Sequence, residues 1–295
     1  MTAGRDAAPV LAVVLGIVAM WYLGAVILNA PWAYDQAERA GVTLGFWDMV
    51  QGTLRQERPR LPAPDQVAAE VWRSVALVAP TSKRSLIYHG WVTLSATLLG
   101  FAMGVALGIA LAVAIVHDRT TDASVMPWVI ASQTVPILAI APMIIVVLNS
   151  VGISGLLPKA MISMYLSFFP VAVGMVKGLR SPERMQLDQM RTWSAGRGQV
   201  LRKLRWPAAI PYLFASLKVG AAAALVGAIV GELPTGAVAG LGARMLSGSY
   251  YGQTVQIWSA LVMAAALAAG LVAAIGVVER ITARAMGAQT IGARS

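Results

Sequence analysis

Cysteine is absent from the 295-residue chain, which excludes disulfides, thiol catalysis and Cys-based metal sites. Histidine occurs only at His89 and His117, at opposite ends of one apolar run, so the pair cannot share a metal. Charge is scarce as well: Asp, Glu, Lys and Arg together make up 12% of the residues, against 58% for the apolar set, too apolar for a soluble domain of this length to hide in one core. A bilayer is therefore part of the solvent. No G-x-x-x-x-G-K-[ST] sequence occurs, so the usual phosphate-cradling loop is missing. Alternating strand patterns are missing too, and Ala, Leu, Val and Gly dominate, so helices satisfy the backbone within lipid.

What is present is a set of runs without a charged residue: 7–34, 85–117, 123–158, 160–176 and 245–278, with 206–231 interrupted only by Lys218. Each is long enough, or nearly so, for the roughly 20-residue crossing that a hydrocarbon core of ~30 Å requires. The expected fold class is all-α, a polytopic membrane protein with about six transmembrane helices, over residues 8–28, 88–116, 125–148, 156–176, 208–232 and 254–278. The run after Arg5 is longer than the apolar region of a signal peptide and is read as a retained first helix. Four regions result: a first helix (1–30), an external Pro-rich segment with an amphipathic helix near 65–78 (31–85), a core of five membrane helices (86–278) and a cytoplasmic tail (279–295).

The net charge of +10 does not point to nucleic acid, because the largest basic cluster lies in one loop between two spans. That loop, 177–205, holds eight basic residues against Glu183 and Asp188, which places it and both termini in the cytoplasm and 31–84 outside. Gly100, Gly104 and Gly108 fall four apart on the second span, a spacing that serves either close helix packing or a substrate groove. The third span contains Pro127, Pro136 and Pro142, each removing a backbone donor. Ser132, Gln133 and Thr134 stand beside Pro136, and they either line a water-filled pathway or bond to neighbouring helices. Among intramembrane charges, Glu232 is expected at the external mouth and Lys218 is expected to reach towards the cytoplasm. The 14 residues between them put them about 21 Å apart along one helix, too far to pair.

The loop 187–211, LDQMRTWSAGRGQVLRKLRWPAAIP, has a polar-faced helical segment ending at Pro207 and Pro211. It resembles the EAA loop of ABC importer permeases. With Gln199, Val200, Leu201, Arg202 and Pro207 aligned, the acidic position falls on Asp188, the two alanines on Gln189 and Met190, and the glycine on Ser194. Upstream, 132–180 is similar to the helix three and four block of permeases for nitrate, sulfonates, taurine and the thiamine pyrimidine precursor. The shared features are Pro136 and Pro142, Gly152 then Lys159, Phe168 to Pro170, and Gly178 to Arg180. Leu61 to Pro64 matches an external leader of that group, so the likeness runs from about 61 to about 278.

The resemblance implies a type I ABC importer permease in a bacterial cytoplasmic (inner) membrane, without catalytic residues, metal or cofactor of its own. Implied partners are ABC ATPase subunits, a second permease copy or paralogue, an extracytoplasmic substrate-binding protein and membrane lipid. It also implies a coupling helix over 188–203, with Asp188, Gln189, Met190, Arg191, Trp193, Ser194, Ala195, Gly196, Arg197 and Val200 as the ATPase-facing residues; the arginines serve equally as topology determinants. The pathway residues are Ser132, Gln133, Thr134, Pro136 and Glu232, and the solute is small and polar or anionic. An ion-coupled secondary transporter is the rival class, for which Lys218 is the one ionisable group near mid-membrane.

The topology is testable because the chain has no cysteine of its own. Single cysteines introduced at Ser181 and at Ser82 are expected to react with an impermeant thiol reagent from opposite sides of the membrane. Labelling from the same side would overturn the arrangement.

Overall fold

The computed structural model describes residues 7–233 and 237–286. In these the chain is helical throughout, in the order α1 (Ala7–Ala40), α2 (Phe46–Leu54), α3 (Pro64–Trp72), α4 (Leu86–His117), α5 (Arg119–Ala131), α6 (Ile137–Ser150), α7 (Leu156–Leu179), α8 (Arg184–Thr192), α9 (Arg197–Val200), α10 (Trp206–Glu232), α11 (Leu241–Tyr250) and α12 (Thr254–Ala285). Five helical stretches among the described residues are long and apolar enough to cross a membrane, and the α5–α6 pair makes a sixth if counted as one broken span.

Two compact units divide the chain. The first comprises residues 1–89 and 243–263. Here α1 runs past the expected end at residue 28, through Pro31 to Ala40, because Ala33, Gln36, Ala37, Glu38 and Ala40 are strong helix formers that extend it. The chain then turns at Gly41 and sends α2, a helix the sequence reading did not foresee, back along α1 with Met49 and Thr53 buried. Asn29 clasps the descending segment: its side-chain oxygen accepts from the Arg60 and Leu61 N–H groups at 2.7 and 3.3 Å, and its amide donates to the Leu61 carbonyl at 2.9 Å. Trp21 donates to the Pro62 carbonyl at 2.9 Å and packs against Trp258, with ring centroids 4.9 Å apart. The amphipathic segment expected over 65–78 is α3 followed by a widened turn, Arg73–Leu77. Arg244 holds its Glu70 at 3.5 Å and the Arg84 carbonyl at 2.8 Å. Burial lowers the affinity of that guanidinium for its proton.

The second unit comprises residues 90–242 and 264–295. Its centre is a seam where α4, α7 and α10 meet at small residues. A Cβ at Gly108 would stand 2.8 Å from the Phe168 carbonyl and 2.9 Å from Val171 Cβ, and one at Gly227 would stand 2.7 Å from the Ser163 backbone. Gly100 and Gly104 of α4 press in the same way on Ser163 and Ser167 of α7, and Gly178 of α7 presses on Ala209 of α10. The glycine stripe of α4 is thus a packing face: without side chains at these positions the backbones approach to full van der Waals contact. Around one end of the seam Ile115, Val171, Met175, Val176 and Leu179 form a continuous apolar core with Ala209.

The third expected span, 125–148, is not one straight helix: α5 and α6 are bent by 101° at a break. The cause is Pro136. It has no N–H to offer the Ser132 carbonyl one turn earlier, so the helix ends in a tight turn at Ser132–Thr134 and restarts at Ile137. The carbonyl so freed accepts a hydrogen bond from the Tyr165 hydroxyl of α7.

Enlarging a seam glycine is expected to strain the fold. Gly104→Leu drives a side chain into Ser167 and the Met164 carbonyl, which costs about 1–3 kcal/mol. Gly16→Leu on α1, with no atom within 4 Å of its added Cβ, should cost nothing. Thermal unfolding of both variants in detergent checks the difference; equal midpoints would contradict the packing role of the seam.

Candidate functional site

Three constellations bear on function, and the first is the basic connection between α7 and α10. The sequence suggests one helix over 188–203, but the structure forms an elbow. The α8 helix opens with the Glu183 N–H bonded to Gln186 Oε1 at 3.1 Å and closes after Thr192. At its end the Ala195 N–H reaches the Met190 carbonyl at 3.0 Å and the Ser194 N–H reaches the Arg191 carbonyl at 2.8 Å. This pair of bonds is a Schellman motif, whose C′ residue must be left-handed. Ser194 occupies that position with φ 53°, the one non-glycine among the described residues with positive φ. The family glycine aligned with Ser194 therefore has a physical reason: no Cβ means no steric penalty in a left-handed turn.

Gly196, whose N–H bonds Gln199 Oε1 at 3.0 Å, starts α9, and a widened turn, Leu201–Arg205, leads directly into α10. Within the elbow only Met190 is buried, while Gln189, Trp193, Ser194 and Gly196 are exposed and Val200 is half-buried. Gln189, Met190, Trp193 and Ala195 line a cleft of about 490 Å³ between α8 and α9. Asp188 is paired with Arg191 at 2.7 Å on the open surface, where such a pair contributes little. On another side of the elbow, a cavity of about 350 Å³ is lined by His117, Arg191, Arg197 and Arg205. Arg205 also donates to the Leu179 carbonyl at 3.2 Å, closing the end of α7. Beside His117, Asp118 caps α5, and the Thr121 N–H at 2.9 Å holds its carboxyl below the usual range.

The second constellation is the break before Pro136. The Ser132 and Thr134 hydroxyls are turned back onto the Val129 and Ala131 carbonyls at 2.7 and 2.8 Å. Gln133, Thr134 and Pro136 are exposed on this chain's surface. Hydroxyls bonded to their own helix remain able to meet a solute through their second lone pair.

The third constellation lies at the far end of α10. Glu232, expected at the external mouth, is fully buried. The Thr93 hydroxyl lies 3.0 Å from both carboxylate oxygens, and the Gly242 N–H donates to one of them at 2.8 Å. The Leu241 N–H in turn donates to the Thr93 hydroxyl at 2.8 Å. Lys159 approaches the carboxylate at 4.0 Å and donates to the Ala239 carbonyl at 3.3 Å. A Cβ at Gly242 would stand 2.9 Å from Glu232 Cβ, so the acid is packed against α11's first turn. Its bonds tie the end of α10 to the first turn of α11. Lys218 has a partner that the sequence did not suggest: Glu279 of α12, at 2.5 Å. The one available signal is that Glu279 is the first charge after the 245–278 run. Among the described residues no cluster of three or more His, Asp or Glu suits a metal.

Residues 104–287 match the family model described as the binding-protein-dependent transport system inner membrane component. The chain is 37% identical over 224 residues to the riboflavin transport system permease protein RibX of Chloroflexus aurantiacus, covering 76% of this chain and 80% of that relative. It is 31% identical over 182 residues to the formylaminopyrimidine transport permease protein ThiX of Halalkalibacterium halodurans, covering 62% and 68% respectively.

Relief of the left-handed strain at the elbow is measurable. Ser194→Gly should stabilise the turn by about 1 kcal/mol, slowing exchange of the Ser194 and Ala195 amides roughly fivefold. Ser194→Val, β-branched at the same φ, should accelerate it. Exchange measured by mass spectrometry checks both, and no difference between the two variants would refute the left-handed assignment.

Proposed function

The chain belongs to the family of binding-protein-dependent transport system inner membrane components, and on that premise we propose that it forms half of the passage of an ATP-driven importer, with residues 184–205 as the element that receives a separate ATPase subunit. It is a multi-pass inner-membrane permease subunit. ATP hydrolysis then belongs to the partner, and an extracytoplasmic binding protein delivers the solute to a passage made with a second permease subunit. The solute is small and polar or anionic. The names of the two relatives, for riboflavin and formylaminopyrimidine, favour a nitrogen heterocycle within that class.

The observation that carries this reading is the elbow: two short helices joined at Ser194, with exposed Gln189 and Trp193 bordering the cleft, held to the membrane helices at its outgoing end by direct continuation into α10. A partner that grips such an element moves α10 with it. Coupling further requires that the elbow bind the two nucleotide states of the ATPase with different free energy, since equal binding shifts nothing. On the membrane side, the exposed residues Gln133, Thr134 and Pro136 at the break between α5 and α6 are the proposed wall of the passage, while Glu232 holds the α10–α11 return.

Vesicles containing the permease, its ATPase and its loaded binding protein provide the test. Asp188→Lys combined with Ser194→Trp should leave membrane insertion normal and abolish ATP-dependent uptake or separate hydrolysis from it. Unchanged uptake would move the contact surface elsewhere. Uptake that needs an ion gradient and no ATP would overturn the importer reading and support a secondary carrier.

A further inference from the structure

The cavity of about 350 Å³ at the end of α4 combines three guanidinium groups and an imidazole, from Arg191, Arg197, Arg205 and His117, with no carboxylate among its lining residues. Bringing like charges together raises the free energy of the chain unless a counter-charge offsets it. Asp188 engages one nitrogen of Arg191, and Arg205 gives one N–H to the Leu179 carbonyl. Arg197 takes part in no ion pair among the described residues. Among the described residues most of the donor capacity of the cluster thus has no partner, and guanidinium forks match the oxygens of a phosphate in both charge and geometry.

Position narrows the ligand further. His117 is the last residue of α4, and the charge-free run 85–117 ends there, so the cavity lies at the level where hydrocarbon gives way to headgroups. Its apolar side comes from Val116, Leu187, Val200 and Leu201, so one wall is apolar and the other cationic. The lining residues come from α4, α8, α9 and the turn into α10, so a ligand there would touch the end of a membrane span and both arms of the elbow together.

We propose that this cavity is a binding site for a phosphate group, which bridges the end of α4 to the elbow and fixes the elbow's orientation. Two sources present that chemistry at this depth: the headgroup of an anionic phospholipid and a soluble phosphorylated compound. The effect on coupling rests on the role proposed above for the elbow; the binding itself does not.

The experiment therefore reads binding. The full-length permease is placed in nanodiscs of phosphatidylcholine alone, of phosphatidylcholine with phosphatidylglycerol, and of phosphatidylcholine with free pyrophosphate in solution. Ligand retention is followed by native mass spectrometry, and affinity by the rise in unfolding temperature on titration. Arg191→Gln with Arg197→Gln should weaken binding roughly tenfold or more. Arg184→Gln with Arg202→Gln removes the same charge from the same connection but away from the cavity, and should not. Saturable binding of phosphatidylglycerol alone identifies the lipid source, and saturable binding of pyrophosphate alone the soluble one. Binding of neither probe, or equal loss in both double variants, would overturn the site. Retained binding with unchanged coupling in the uptake assay would leave the site standing and remove its regulatory role.

Discussion

The close approach of α4, α7 and α10 along their glycine and serine seam is the constraint on which the rest of the second unit depends. At full contact, three backbones have almost no freedom to slide, because each methyl-sized mismatch meets a carbonyl or an amide on the facing helix. The same three helices, with the turn that leads into α10, then bring polar side chains together at both ends. Thr93, Lys159 and Glu232 meet at one end; Val116, His117, Leu179 and Arg205 lie at the other. The seam makes these two ends parts of one body, so that a displacement of one end is carried to the other.

A rigid seam also explains why the irregular features are placed around it and not within it. The bend at Pro136, the left-handed turn at Ser194 and the glycine-rich return that packs on Glu232 all lie in connections, where backbone groups find partners other than the next helical turn. Several such groups have found theirs: the Ser132 carbonyl bonds Tyr165, the Met190 and Arg191 carbonyls the turn after α8, and the Gly242 and Leu241 N–H groups Glu232 and Thr93. In a low-dielectric setting such assignments are obligatory, because an orphaned group costs more than the bond it would make.

Much of the fold was legible in the sequence because its signal is one-dimensional. Runs without charge locate spans by length alone, and Pro136 marks a break because its missing donor is a property of the residue. What was illegible depends on the third dimension. Pro136 accounts for the break, but the size of the bend, 101°, goes with the packing of α6 against α7, which no spacing records. The first helix, expected to end at residue 28, continues through Pro31 to Ala40 on strong helix formers, with α2 packed along it. The pairing of Lys218 with Glu279 joins residues 61 apart on different helices. Ser194 shows the intermediate case: alignment put a glycine position there, and only the backbone angle showed why.

The first unit has a consequence for how the protein is made. Its clasp is built from both ends of the chain: α1 and the segment to residue 89 close on residues 243–263, through Trp21 with Trp258, Thr254 with the Pro59 carbonyl, and Arg244 with Glu70. Contacts so remote in sequence form late. During synthesis α1 therefore has only its local partners, α2 and the segment held by Asn29 and Trp21, until residues 243–263 arrive. Completion of the first unit is thus tied to the arrival of the last helix, so a chain cut short before Thr254 would lack both the Trp258 and the Thr254 contacts of its first helices.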